Sequence, residues 1–156
     1  MKALLRCGAV IWFGVLMLAL VPGLASATRV ADGTKPERLS AADRQKIQRV
    51  ITLQIRAFER NDETVAFSYS TPEIRKYFGS SRTFMEMVRD GYSVLYMHAS
   101  HEFLEAAVVD GQVIQPLRIV TRDGEMLVAL YTLERQPDKE WRIGGCELAP
   151  STLQST

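Results

Sequence analysis

The spacing of apolar residues changes at Gly91, and this change does most to limit how the chain can fold. Before Gly91, apolar residues recur every three or four positions, which is the period of an amphipathic helix. After Gly91 come short runs rich in Val, Ile, Leu and Tyr, punctuated by Asp110-Gly111 and Asp123-Gly124. Asp-Gly between apolar runs is a strong hairpin signal. Helices followed by strands predict an α+β domain rather than a parallel α/β sheet.

The helical half is predicted to contain one long helix and three short ones. Ser40 is a predicted N-cap with Asp43 three residues later, and this helix should run to about Arg60. Its apolar stripe consists of Ile47, Val50, Ile51, Ile55 and Phe58. The first short helix is predicted to begin at the cap Asn61. The second begins at Thr71 and ends at Gly79, and the third begins at Ser80 or Ser81 and ends at Gly91.

The second half is predicted to form a curved antiparallel sheet of four or five strands that packs against these helices. The strand-like runs are residues 94–98, 101–109, 112–121, 125–136 and 140–148, with Pro137-Asp138 before the last of them. Pro116 predicts an edge or a bulge, and Gly144-Gly145 predicts a bulge or a close backbone approach. Trp141 and Ile143 alternate with polar residues, so they should be core residues where the last strand meets the first helix.

The first 27 residues have the order of a cleavable secretory signal peptide. Lys2 and Arg6 precede an uncharged run from Cys7 to Leu24, and Ala25-Ser26-Ala27 follows it. A retained membrane anchor is the alternative, because the apolar run approaches the length of a spanning helix. Pro22-Gly23 favours cleavage after Ala27. We therefore expect a periplasmic or secreted protein that contacts the membrane only through the uncleaved signal.

The predicted domain organisation follows from these boundaries. Residues 28–39 form a flexible lead-in, residues 40–148 a single α+β domain, and residues 149–156 a flexible tail. Removing the signal takes away two of the 19 Lys and Arg and none of the 18 Asp and Glu. The remaining balance gives no electrostatic reason to expect nucleic acid as a partner. Cys146 becomes the only cysteine, so no intrachain disulfide can form, and burial is its expected state.

The chain resembles a family of small exported proteobacterial proteins of unknown function within the nuclear-transport-factor-two-like (cystatin-like cone) superfamily. The likeness covers residues 47–148 and rests on short segments such as Ala66-Phe67, Phe78-Gly79, Phe84-Met85, Gly91-Tyr92 and Trp141-Arg142-Ile143. The resemblance implies a cone of helices on a curved sheet and an exported location. It implies no activity and no catalytic residues.

Candidate ligand-binding residues come from polar and aromatic side chains at positions facing the predicted core. They are Gln54, Tyr69, Phe84, Tyr92, Tyr131 and Glu105. Gln54 lies within the apolar stripe of the first helix. It either points into a cavity and binds a ligand, or lies at the edge of the stripe or is satisfied by backbone groups. The aromatic residues either line a small apolar pocket or are plain core. Glu105 and Glu134 are the candidates for an acid that faces inward.

Several chemistries lack support in the sequence. His98, His101 and Glu102 resemble metal ligands, but strand positions three apart point to opposite faces, so no metal site is predicted. The chain has no Gly-x-Ser-x-Gly elbow and no glycine-rich phosphate loop. Cys146 has no positively charged sequence neighbour to lower its pKa.

The sequence therefore predicts a non-catalytic domain that binds a small apolar molecule or a protein partner, with no cofactor and no assigned oligomeric state. The alternative is a small isomerase or lyase of the ketosteroid-isomerase type. Such an enzyme would use an inward Glu and a Tyr, because proton transfer at carbon needs a carboxyl whose pKa is set by an apolar site.

Overall fold

The first helix, α1, spans Ala41–Glu59 in the computed structural model, which describes residues 39–151 of the chain. Ser40 caps it as predicted, because its hydroxyl accepts a hydrogen bond from the Asp43 backbone N–H at 3.0 Å. The apolar stripe is the buried face of the helix, with Ile47 and Ile51 fully enclosed. A stripe of this length and regularity can be predicted because every turn repeats the same signal.

Three short helices follow α1. They are α2 (Glu63–Ser68), α3 (Pro72–Phe78) and α4 (Ser81–Gly91). Thr71 and Ser80 cap α3 and α4 as predicted. The prediction for α2 is wrong by one residue, because Asp62 and not Asn61 accepts the hydrogen bond from the Val65 N–H, at 3.1 Å. Asn61 instead takes a left-handed φ of 55° where the chain leaves α1, a conformation that Asn tolerates better than most residues.

Residues 94–98 do not form the predicted strand. Val94–Met97 is a single helical turn, α5, closed by hydrogen bonds from the backbone N–H groups of Tyr96 and Met97 to the Ser93 carbonyl. Leu95 is buried in the core and fixes the turn there. The composition of this segment favours a strand, but a run of four or five residues is too short for its period to distinguish a strand from a helix.

The sheet has five antiparallel strands, is curved and does not close into a barrel. The strands are β1 (Ser100–Phe103), β2 (Ala107–Val109), β3 (Gln112–Val120), β4 (Met126–Arg135) and β5 (Trp141–Pro150). Their order is β1-β3-β4-β5, and β2 pairs with a different stretch of β3. Together with the helices packed on one face, this is the predicted α+β fold.

The predicted strand 101–109 is interrupted at residues 104–106. β1 pairs with the end of β3 and β2 with its beginning, so the interruption lies opposite Pro116. The Leu104 N–H still donates to the Pro116 carbonyl at 3.0 Å, whereas Pro116 has no N–H to return. Pro116 therefore lies at an irregularity in the sheet, as predicted.

A bulge in β5 adds to the curvature of the sheet. Thr132 pairs with Gly145 and Leu133 with Ile143, which leaves Gly144 unpaired between them. This is the bulge predicted from Gly144-Gly145. β5 continues to Pro150, two residues beyond the predicted end at 148. The predicted signal peptide, the lead-in up to residue 38 and the tail from residue 152 lie outside the described residues.

The core forms between α1 and the inner face of the sheet, meaning the face that packs against the helices. Trp141 and Ile143 are buried there, which confirms the prediction for both residues. The Trp141 indole N–H donates to the Asp43 carboxylate at 3.2 Å and so joins β5 to the first turn of α1. Within residues 39–151, no helix is long and apolar enough to span a membrane.

Candidate functional site

An apolar pocket of about 270 Å³ lies between α1, α3, α4 and β5, and it is open to solvent on one side. Its apolar wall includes Phe58, Ile74, Phe78, Met87, Val88 and Leu95. Tyr77 lies at the rim with 82% of its surface exposed. None of the described residues that line the pocket is Asp, Glu, Lys, Arg or His. The pocket is therefore suited to an apolar molecule.

Aromatic rings packed at tilted and T-shaped angles support the wall formed by α4. The ring centroid of Phe84 lies 5.3 Å from that of Phe67, 5.4 Å from that of Phe78 and 6.1 Å from that of Phe58. The Phe84–Phe78 pair is T-shaped, one of the favoured aromatic arrangements. Phe84 lines the pocket, as the sequence predicted, and is part of the core as well.

Gln54 both lines the pocket and is hydrogen-bonded to a backbone group, two positions that the sequence offered as alternatives. It lines the pocket with 3% of its surface exposed, and its Nε2 donates to the Ala66 carbonyl at 3.2 Å. This bond assigns the amide, because only the nitrogen can donate to a carbonyl. Gln54 Oε1 makes no hydrogen bond within residues 39–151 and is not one of their fully enclosed unpartnered atoms, so it faces the open side of the pocket. The pocket therefore presents an acceptor on an otherwise apolar wall.

Tyr92 connects α4 to β5 at the pocket. It is the C-cap residue of α4, and its hydroxyl donates to the Cys146 carbonyl at 3.1 Å. Burial raises the pKa of Tyr92 above its usual value, with a smaller contribution from Cys146. Tyr92 therefore stays neutral at physiological pH, and its proton is engaged in holding two elements together.

Cys146 is part of the pocket wall and has the properties of a buried, unreactive thiol. Burial raises its pKa to about 12, because a thiolate would lose its hydration there. Its sheet partner Tyr131 is fully enclosed behind it and does not line the pocket. The Tyr131 hydroxyl lies near the thiol but makes no hydrogen bond of normal geometry.

Two further predicted ligand-binding residues also lie away from the pocket lining. Tyr69 is half-buried beside it, and its carbonyl accepts a hydrogen bond from the Ile143 N–H at 2.9 Å. Glu105 is exposed, in the interruption between β1 and β2. Of the two positions that the sequence allows for Glu105, inward or solvated, the structure has the solvated one, because the alternation of faces stops where the strand stops.

The remaining sheet acids face away from the helices. Glu134 accepts a hydrogen bond from Gln112 Nε2 at 3.1 Å on the outer face of the sheet. Glu102 pairs with Arg118 on the same face. Among the residues described in the structure, the pocket therefore has no carboxyl group that could abstract a proton.

His98 and His101 contact each other at the junction of α5 and β1. His98 Nε2 lies 2.7 Å from His101 Nδ1, and His98 Nδ1 lies 3.2 Å from the Val94 carbonyl. Burial, and then His98, lower the pKa of His101 below its usual value. Within the part of the chain that the structure describes, no group of three or more His, Cys, Asp or Glu side chains is arranged to hold a metal ion.

Sequence reasoning predicted the helix α3 but missed Ser70, Ile74 and Phe78 as pocket residues, although they supply one side of the pocket. Two backbone hydrogen bonds attach the segment around Ser70 to β5, from the Thr71 N–H to the Ile143 carbonyl and from the Ile143 N–H to the Tyr69 carbonyl, both at 2.9 Å. They place the Ser70 side chain, 1% exposed, against the pocket. The contact spans more than 70 residues of sequence, and no local pattern indicates it.

A sequence-family model described as "Domain of unknown function (DUF4864)" matches residues 40–156. The match begins at the cap of α1 and includes every helix and strand of the structure. Comparisons with curated proteins and with solved structures gave no match.

Proposed function

The chain belongs to the DUF4864 family, and we propose that it is an exported, non-catalytic domain that binds a small apolar molecule in the pocket between its helices and β5. The observation that carries this proposal is the lining of the pocket. Apolar side chains predominate, and no charged side chain occurs among the described lining residues. Small-molecule sites are mostly apolar concavities with a few polar groups that orient the ligand.

A binding role is favoured over catalysis because the groups that could transfer protons are unsuited to it. General acid–base catalysis works best with a group whose pKa lies near the operating pH. The pKa of Cys146 is about 12, and the Tyr92 hydroxyl is committed to a backbone carbonyl. An isomerase of the ketosteroid-isomerase type needs an inward carboxyl, whereas Glu105 is exposed and Glu134 lies on the outer face.

The resemblance to the nuclear-transport-factor-two-like superfamily agrees with this proposal. A long helix, short helices and then a curved antiparallel sheet is the element order expected of that cone, and the pocket opens between those helices and the sheet. A partner protein could insert one apolar side chain through the same opening. A small molecule is favoured because the described lining is mostly apolar with two polar side chains, Gln54 and Ser70, that can orient a ligand.

Export is the second part of the proposal. The basic, apolar and small-residue order of residues 1–27 supports a signal peptide and therefore a periplasmic or secreted location. The N-terminal sequence of the protein recovered from its host should begin at or within a few residues of Thr28. Recovery of a membrane-associated protein that still contains Lys2 would contradict this part.

Ligand binding is tested by the same substitution at two methionines. Met87 and Met126 are both half-buried, but only Met87 lines the pocket, and Met126 lies on the outer face of the sheet. Naphthalene serves as a neutral apolar probe, and binding is followed by NMR chemical-shift changes. We expect saturable shifts at residues around the pocket, lost in Met87→Trp because the larger ring fills the space and kept in Met126→Trp. Equal behaviour of the two variants, or no saturable binding by the wild-type protein, would refute the proposal.

A further inference from the structure

Two polar side chains interrupt the apolar wall of the pocket, and each has a hydrogen-bonding group without a partner among the described residues. Gln54 and Ser70 are 3% and 1% exposed. Gln54 Nε2 donates to the Ala66 carbonyl, whereas Gln54 Oε1 and the Ser70 hydroxyl make no hydrogen bond to another group within residues 39–151. Gln54 lies in α1 and contacts α2 through its bond to Ala66, and Ser70 is the second residue after the end of α2.

Gln54 Oε1 and Ser70 Oγ are not among the fully enclosed unpartnered atoms of the described residues, so both face the open pocket. Small-molecule sites place a few such polar groups on a mostly apolar wall, where they orient the ligand. Two such groups facing one pocket therefore indicate a ligand group that bonds them. We infer that the ligand of this pocket is an uncharged molecule carrying a hydroxyl group, which donates to Gln54 Oε1 and lies within reach of the Ser70 hydroxyl. This inference rests on the proposed function and adds the chemical class of the ligand.

The available atoms exclude the charged alternatives. Gln54 Oε1 accepts hydrogen bonds only. The oxygen of a carboxylate or an ionised phosphate is also an acceptor, so the two oxygens would repel each other. A buried anion also needs a cation, and the described lining has no Lys, Arg or His. An ammonium group can donate to Gln54, but the same lining has no Asp or Glu to balance its charge. A neutral hydroxyl satisfies both protein groups without any buried charge.

The volume of the pocket limits the apolar part of the ligand. A dry cavity of about 150 Å³ holds benzene, and drug-sized ligands occupy pockets of about 300–1,000 Å³. At about 270 Å³, this pocket lies between the two. A hydroxylated bicyclic ring, or one ring with a short alkyl chain, is the expected size.

Three probes of nearly the same shape test the inference. They are 2-naphthol, naphthalene and 2-naphthoate, titrated into the purified protein at neutral pH. A net hydrogen bond is expected to strengthen the binding of 2-naphthol over naphthalene by about two- to tenfold, and 2-naphthoate should bind more weakly than either. Equal affinities of naphthol and naphthalene, or preferred binding of naphthoate, would overturn the hydroxyl assignment while leaving the apolar site intact. Failure of all three to bind would refute the proposed function and the inference with it.

A glutamine outside the pocket provides the matched control. Gln115 is buried and also has an unpartnered Oε1, but it does not line the pocket. In Gln54→Met the affinity for 2-naphthol should fall to the naphthalene level, and the affinity for naphthalene should stay the same. Gln115→Met should keep the preference for naphthol as long as circular dichroism shows a folded protein. Ser70→Ala, a smaller change, should reduce the same preference. Unchanged selectivity in both Gln54→Met and Ser70→Ala would contradict the inference.

Discussion

Replacing Trp141 by Ala tests the contact between β5 and α1 on which the rest of the fold depends. The side chain is 6% exposed, so almost all of its apolar area is removed from water. Truncation of a buried Trp to Ala costs about 3–5 kcal/mol, because transfer free energy is lost and a cavity remains. The hydrogen bond from the indole to Asp43 is lost as well, but the exposed Asp43 carboxylate can be rehydrated. We expect a loss of about 3–5 kcal/mol in the free energy of unfolding.

The loss is measured by urea denaturation, followed by far-ultraviolet circular dichroism because the variant lacks the main fluorophore. Natural domains are stable by about 5–15 kcal/mol, so the variant should unfold at much lower urea and can be largely unfolded without it. Trp141→Phe is the control, since it removes the indole N–H but keeps most of the buried ring. It should retain most of the stability. A free energy for Trp141→Ala within about 1 kcal/mol of wild type would show that Trp141 does not pack as described, and would favour a role at a binding surface.

The other predictions concern single groups. Ser40→Ala should lower the free energy of unfolding by about 0.5–2 kcal/mol through loss of the N-cap, and Ser40→Asp should restore it; equal stability of wild type and the Ala variant would contradict the cap. The pKa of His101 is lower in the folded protein than its ordinary value of 6.5, so the unfolded chain binds a proton more readily. The contribution of His101 to the free energy of unfolding is therefore fully present above pH 6.5 and is lost as the pH falls below it. Thermal unfolding from about pH 7.5 to 5 should show a weaker pH dependence in His101→Gln, and an unchanged dependence would exclude His101 as its source. A pKa of about 12, against an ordinary value of 9.0, leaves the Cys146 thiolate about a hundred- to thousandfold less populated than in the unfolded chain. Alkylation mapped by mass spectrometry should therefore be slow in the folded protein and fast in denaturant, and equal rates would show an accessible thiol.

The elements that the sequence predicts well are those whose signals repeat or are set by stereochemistry. α1 repeats its apolar stripe over five turns, and the caps Thr71 and Ser80 are chemically suited to accept the free N–H groups at a helix start. Gly144 could be predicted as a bulge because a glycine pair weakens a strand. α5 could not be predicted, because its four residues have strand-like composition and only the burial of Leu95 explains the turn.

Three of the six predicted ligand-binding residues line the pocket: Gln54 and Phe84 within helices, and Tyr92 at the C-cap of α4. Gln54 and Phe84 lie on helix faces whose direction the apolar stripe determines, and both line the pocket. Tyr131 also faces inward, but strand alternation specifies the face of a sheet and not the depth at which a side chain lies. It is therefore enclosed in the core behind Cys146 rather than in the pocket wall.

The polar character of the pocket arises from a contact between segments that are distant in sequence. The backbone bonds between Ile143 and residues 69 and 71 bring the end of α2 to β5, and Ser70 lies between those bonds. The bulge at Gly144 follows directly after Ile143. β5 therefore bends next to Ile143, the residue that bonds residues 69 and 71. A Cβ at Gly144 would lie 2.8 Å from Glu134 Oε1, which is the end of a flexible side chain that can move aside, so the bulge does not require a small residue there. The position of Ser70 in the pocket wall therefore depends on backbone pairing with Ile143, whereas the position of Gln54 depends on α1 and its bond to Ala66. The two polar groups of the pocket thus come from different parts of the fold.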